Sequence, residues 1–243
     1  MQTNEMPFLD HLEELRWRII KALVSVVFFT IIAFFFSDYF LNWLLQPSFE
    51  VDAQISLQVL KVQAVFIIKL EIALLVGVII SIPVILFQIW SFLSPGLKSS
   101  ERKYIWPIII FAMISFAIGA AFAYYLIIPY ALKFFLELAP QNVTNNIAID
   151  FYFGFLLRLL VVFGVVFELP VISIVLAKLG LITPAFLKKY RRHAIVLFFV
   201  AAALLTPPDP TTQVFLALPL ILLYEFTIFI LRFVTKKEKN EEA

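Results

Sequence analysis

Three carboxylates stand where a carboxylate could do chemistry: Glu14, Glu101 and Glu168. Glu168 lies inside an apolar stretch, residues 151–177, that is long enough to cross a bilayer, and Pro170 follows it two residues later. A carboxylate at the centre of a spanning helix costs at least about 2.5 to 3.5 kcal/mol. Proline removes a backbone donor, so the helix is expected to bend or loosen beside the charge. That combination marks a functional interior. Glu14 and Glu101 instead flank apolar runs. Two carboxylates on one membrane face suit a ligand with two guanidinium groups, because each can accept an Arg fork in a bidentate geometry that Lys cannot copy. Both have plainer roles open to them. Glu14 can pair with Arg18 one helical turn on, and Glu101 can complement the N-terminus of a helix capped by Ser99 or Ser100.

Other chemistries are excluded or unsupported. The chain has no Cys, hence no disulfide, thiolate metal site or thiol nucleophile. His11 and His193 lie in or beside charged segments and form no metal pair by spacing. No Gly-x-x-x-x-Gly-Lys-Ser/Thr run is present to bind ATP. A serine nucleophile would need an intramembrane His, which is lacking, and interleaved basic and aromatic residues are too sparse for nucleic acid. No catalytic residue, metal or cofactor is expected.

The elements that position these residues follow from composition. Of 243 residues 63% are hydrophobic and only 15% charged, against about 25% charged in soluble domains. Repeated apolar runs near 20 residues make this an all-α polytopic membrane protein. Six transmembrane helices are expected, at 19–36, 66–90, 105–128, 153–177, 194–206 and 214–231, in a single integral membrane domain spanning 1–243 with a tail at 232–243. The fifth and sixth spans are short. The N-terminal segment 1–14 is polar and net acidic, unlike a signal peptide, so the first span is expected to stay in the mature protein.

Of the 19 Lys and Arg residues, Lys61, Lys69, Lys133 and Arg158 fall on or near one side, and the rest on the side shared by both termini. That asymmetry places both termini in the cytoplasm. On the opposite side the loop 37–65 contains Trp43 and is expected to include an interfacial helix. Pro207-Pro208-Asp209-Pro210 forces a hairpin between spans five and six. Span five offers only about 20 Å of apolar helix against a core of about 30 Å, so local membrane thinning is expected there.

The remaining intramembrane charges have their own readings. Snorkelling accounts for Lys69, and Glu71 faces the same outer water layer. Glu225 wants a polar partner that the sequence does not identify. Arg158, ten residues before Glu168 and about 15 Å along the axis, cannot pair with it in a straight helix. Three states stay open to Glu168: protonated and hydrogen-bonded, lining a hydrated concavity, or receiving a polar group from a partner's span. The last two are compatible and favoured jointly.

Four motifs in order resemble the TatC family across nearly the whole chain. They are His11-Leu12-x-Glu14-Leu15-Arg16-x-Arg18, Trp90-x-Phe92-x-x-Pro95-x-Leu97-x-x-x-Glu101-Arg102, Phe163-Gly164-Val165-x-Phe167-Glu168-x-Pro170, and Leu204-Leu205-Thr206-Pro207-Pro208-Asp209. The resemblance implies the non-enzymatic receptor subunit of a twin-arginine translocase in a bacterial plasma membrane. Such a subunit binds Arg-Arg signal peptides of folded cargo at its cytoplasmic face. It recruits single-span partners of the TatA and TatB type, works as an oligomer in a complex, and exports by proton-motive force.

Carried over by motif, Glu14 and Glu101 contact the paired arginines, with Phe92 near the same site. Leu12, Arg16 and His11 shape that site, and Thr206 and Gln213 meet a partner helix, with Glu168 as the intramembrane polar position. Pro47 and Asp209 give structural support. The sequence departs from the pattern in having Glu13 beside Glu14. The two point about 100° apart on a helix, so one faces a given ligand, and Glu14 is the expected one. The alternative function is a proton-coupled small-solute carrier with Glu168 as relay. The lack of an internal repeat weakens it.

Overall fold

The computed structural model describes residues 8–51, 56–93, 105–138, 146–178, 180–205 and 210–241, with side chains over 12–49, 56–92, 106–138, 146–178, 180–205 and 210–233. In chain order the elements are α1 (Phe8–Phe35), α2 (Ser37–Val51), β1 (Ser56–Gln58), α3 (Ala64–Leu93) and α4 (Ile105–Phe122). A π-helical turn (Ala123–Ile127) leads into α5 (Ile128–Glu137), followed by β2 (Asn146–Ala148), α6 (Ile149–Val166), α7 (Leu169–Lys178), α8 (Pro184–Leu205) and α9 (Pro210–Glu241).

Among the described residues five segments are long and apolar enough to cross a membrane: Leu12–Phe35, Ala64–Phe92, Trp106–Glu137, Ile149–Lys178 and Pro210–Phe233. They cover five of the six expected spans. The other, 194–206, falls on α8, whose 22 residues make about 33 Å of helix. Lys188, Lys189, Arg191 and Arg192 occupy its first half, so its uninterrupted apolar part is as short as the sequence indicates. Asp10 lies inside α1, which is already under way at Phe8.

The chain divides into two compact units, Met1–Asn42 with Lys69–Met113 and Trp43–Ile68 with Ile114–Ala243. In the first, α1 crosses α3 at Thr30 and Gly77. A Cβ on Gly77 would stand 2.6 Å from the Thr30 nitrogen and 2.7 Å from its Cα, so only a glycine permits this approach. Ser81 Oγ donates to the Gly77 carbonyl at 2.7 Å. Lys69 does more than snorkel, since its Nζ meets Asp38 at 2.6 Å.

The second unit is also knit by small residues. A Cβ on Gly119 of α4 would lie 2.6 Å from the Phe163 carbonyl oxygen, and one on Gly164 of α6 would lie 2.5 Å from the Phe116 ring. α9 packs against both α7 and α8. Tyr224 of α9 donates to the Leu187 carbonyl at 2.8 Å. Arg191 of α8 forms an ion pair with Glu225 of α9, the partner that sequence could not supply.

Two loops add a short parallel strand pair, with Ser56 opposite Asn146, Leu57 opposite Ile147 and Gln58 opposite Ala148. Beside it Lys61 holds Asp150 at 2.7 Å. The helix expected around Trp43 is α2, and it carries Pro47 inside it. Pro47 has no N–H, so the Trp43 carbonyl four residues earlier loses its helical donor. Tyr124 supplies one, its hydroxyl donating to Trp43 O at 2.8 Å, with the two rings stacked at 4.1 Å. Tyr152 donates likewise to Leu44 O at 2.9 Å. Pro47 is thus a buried proline with two tyrosines on the carbonyls around it.

Candidate functional site

α1 carries the first candidate cluster on its early turns. Arg18 Nε donates to Glu14 Oε1 at 2.9 Å, and a second guanidinium nitrogen meets the same oxygen. Their side chains are 18% and 25% exposed, so the pair is partly sheltered rather than fully solvated. Glu13 is exposed beside it, as are Leu12 and Arg16.

Arg18 also lines an apolar groove of about 510 Å³ between α1 and α3. Leu15 and Ala22 form one wall, and Ile85, Ile89 and Phe92 the other. Gln88 and Arg18 are its polar side chains. The long apolar faces of both helices and the crossing at Gly77 hold the walls together. Glu14 is therefore linked through Arg18 to the groove that contains Phe92. The arrangement can bind a cation at one end and apolar chain along its length. The His11 side chain and all of Glu101 lie outside the described residues, as do Ser99 and Ser100.

The second candidate cluster is the break between α6 and α7. Glu168 occupies it, with its N–H donating to Val165 O at 3.1 Å and its carbonyl accepting from Ile172 N at 2.9 Å. The missing N–H of Pro170 leaves the helix unable to continue regularly, and Ser115 Oγ takes up the Phe167 carbonyl. The bend expected at this place is a true interruption of the helix. Glu168 is half-buried, and its Oε1 is buried without a hydrogen-bond partner among the described residues. An acceptor so placed suits water or a donor from another chain. Gln213 stands half-buried in the first turn of α9. Thr206 and Asp209 lie outside the described residues.

Sequence reasoning missed three contributors. Tyr124, Tyr152 and Arg191 act only through residues far along the chain, and no local spacing announces them. The π turn offers a partial signal. Pro129 has no N–H and would crowd the carbonyl four residues before it, and the widened turn ahead of it accommodates both.

A family model described as Sec-independent protein translocase protein (TatC) matches residues 10–219. The chain belongs to the TatC family. A TatC from Carboxydothermus hydrogenoformans is 42% identical over 243 residues, covering all of this chain and 99% of the relative. A TatC from Aquifex aeolicus is 39% identical over 237 residues, covering 97% and 98%. A crystal structure of a twin-arginine translocase receptor TatC superposes with a TM-score of 0.84 at 39% identity, covering 93% of this chain and 99% of that one. As a TatC-family member the chain is a multi-pass component of the bacterial Tat translocase, a transport protein and not an enzyme. The solute-carrier alternative is not favoured by this membership.

Proposed function

We propose that this chain is the signal-peptide receptor and scaffold of its translocase. Glu14 and Glu101 receive the paired arginines of a cargo signal peptide at the cytoplasmic face, with Phe92, Leu12, Arg16 and His11 shaping the site. The observation that carries this reading is the Glu14–Arg18 pair, whose arginine lines the groove that contains Phe92. Glu14 already binds one guanidinium, so an arriving arginine meets a carboxylate oriented to accept a guanidinium. The groove beyond suits the apolar part that follows the charged part of such peptides.

The same reading has six spans in one integral membrane domain, with α8 crossing a thinned bilayer and both termini cytoplasmic in a plasma membrane. Glu168, Thr206 and Gln213 receive single-span partner subunits of the TatA and TatB type, several copies of the chain assemble, and the proton-motive force drives export. Support for the partner role comes from the buried oxygen of Glu168, which has no hydrogen-bond partner among the described residues. Charge reversal is the test. Glu14→Lys and Glu101→Lys are expected to abolish signal-peptide binding while the protein still inserts and accumulates. Loss of the protein instead would make both residues structural and end the proposal.

A further inference from the structure

We propose that a second site, in the cavity between α5, α6 and the end of α8, binds an anionic phospholipid whose phosphate is gripped by Arg158. The cavity measures about 600 Å³. Leu132, Phe135, Leu136, Phe155 and Leu204 give it apolar walls, and its two charged lining residues are Asp150 and Arg158. Asp150 is engaged, holding Lys61 at 2.7 Å, so that pair is neutral. Arg158 is exposed and forms no ion pair or hydrogen bond among the described residues. Among the described residues the pocket therefore carries one uncompensated positive charge in apolar surroundings.

The path of that side chain sets its depth. Eight residues of α6 separate Asp150 from Arg158, about 12 Å along the axis. The Arg158 Nη2 lies 3.7 Å from where a Cβ on Gly154 would stand. The side chain thus climbs one turn back toward the Asp150 end, over a glycine that leaves room for it, and brings the guanidinium to about 6 Å from the Asp150 level. A cation there needs an anion that arrives with its own apolar body. A phospholipid supplies both, with a phosphate for the guanidinium fork and an acyl chain for the walls. Basic pockets between spanning helices on the cytoplasmic side of membranes bind anionic head groups by this pairing, and Arg158 offers the same pairing from the other side. A zwitterionic lipid would bring an extra cation to a site whose carboxylate is already taken.

The test is native mass spectrometry of the full chain in detergent, titrated with phosphatidylglycerol or with phosphatidylcholine of the same acyl chains. Phosphatidylglycerol is expected to bind about fivefold to tenfold more tightly. Arg158→Gln should remove that preference, and Arg158→Lys should retain part of it. Gly154→Leu keeps the charge but fills the path of the side chain, and it should also weaken phosphatidylglycerol binding. It serves as the second variant should Arg158→Gln fail to fold. Equal binding of the two lipids by the natural protein would overturn the proposal, as would a preference that survives both Arg158→Gln and Gly154→Leu. Displacement of the lipid by inorganic phosphate would show a free-phosphate site instead. A co-purifying single-span protein lost with Arg158→Gln would show a partner helix. Either result overturns the lipid assignment.

Discussion

Arg18 donates from Nε to Glu14 at 2.9 Å, one helical turn away on the wall of an apolar groove. The carboxylate proposed to receive a cargo arginine is thus already seated on an arginine of its own chain. An i,i+4 ion pair is worth about 0.3 to 0.5 kcal/mol, so displacing it costs little beside a bidentate contact from a ligand. The internal pair keeps Glu14 oriented until exchange occurs.

Removing the competitor should therefore help. Arg18→Gln is expected to strengthen binding of an Arg-Arg signal peptide by about twofold, the factor that about 0.4 kcal/mol supplies. Equilibrium binding of a fluorescent peptide to the purified protein measures it. Weakened binding would mean that Arg18 itself contacts the peptide.

Glu168 sits in a helix break with a buried oxygen that lacks a partner among the described residues. If water reaches it, a thiol placed there is accessible. The chain contains no Cys, so Glu168→Cys gives a single reporter. Its reaction with a membrane-impermeant thiol reagent should run at least about tenfold faster than that of Phe163→Cys, whose position is fully buried. Equal, slow labelling would make the break dry.

The α1–α3 crossing tests packing. At Gly77 a Cβ meets the backbone of Thr30 at 2.6 and 2.7 Å, whereas at Gly154 the nearest atom is a flexible guanidinium at 3.7 Å. Gly77→Ala should destabilise by about 1 to 3 kcal/mol through overpacking. Gly154→Ala should be neutral or stabilising by up to about 1 kcal/mol from helix propensity. Thermal unfolding in detergent distinguishes them, and equal melting temperatures would contradict the crossing.

Pro47 and Tyr124 form a coupled pair through the Trp43 carbonyl. Tyr124→Phe leaves that carbonyl without its donor, at about 1 to 3 kcal/mol. Pro47→Ala restores a helical N–H, so Tyr124→Phe should cost less in that background. A double-mutant cycle on unfolding free energy reads the coupling, and strict additivity would show that the Tyr124 hydroxyl and Pro47 act independently.

The spanning helices were legible because apolar runs in lipid have one backbone solution. Their ends were less so. α1 begins at Phe8 and α8 at Pro184, since charged residues near a membrane surface continue a helix as readily as apolar ones. The Glu14–Arg18 pair was foreseeable from spacing alone. Arg191 with Glu225, Lys61 with Asp150 and the β1–β2 pair were not. Each joins segments well separated in sequence, and only the packed helices bring them together. Gly77, Gly119 and Gly164 gave no signal, because a glycine in an apolar run does not reveal which helix it meets.

The proposed recognition of paired guanidinium groups at Glu14 is tested most directly by site-specific photocrosslinking. A signal peptide carrying Arg-Arg is compared with the same peptide carrying Lys-Lys, with the probe next to Glu14 and, separately, next to Glu101. Lys keeps the charge but lacks the planar fork, so crosslinking should fall at least about tenfold at both positions. An unchanged yield with Lys-Lys would contradict fork recognition at Glu14.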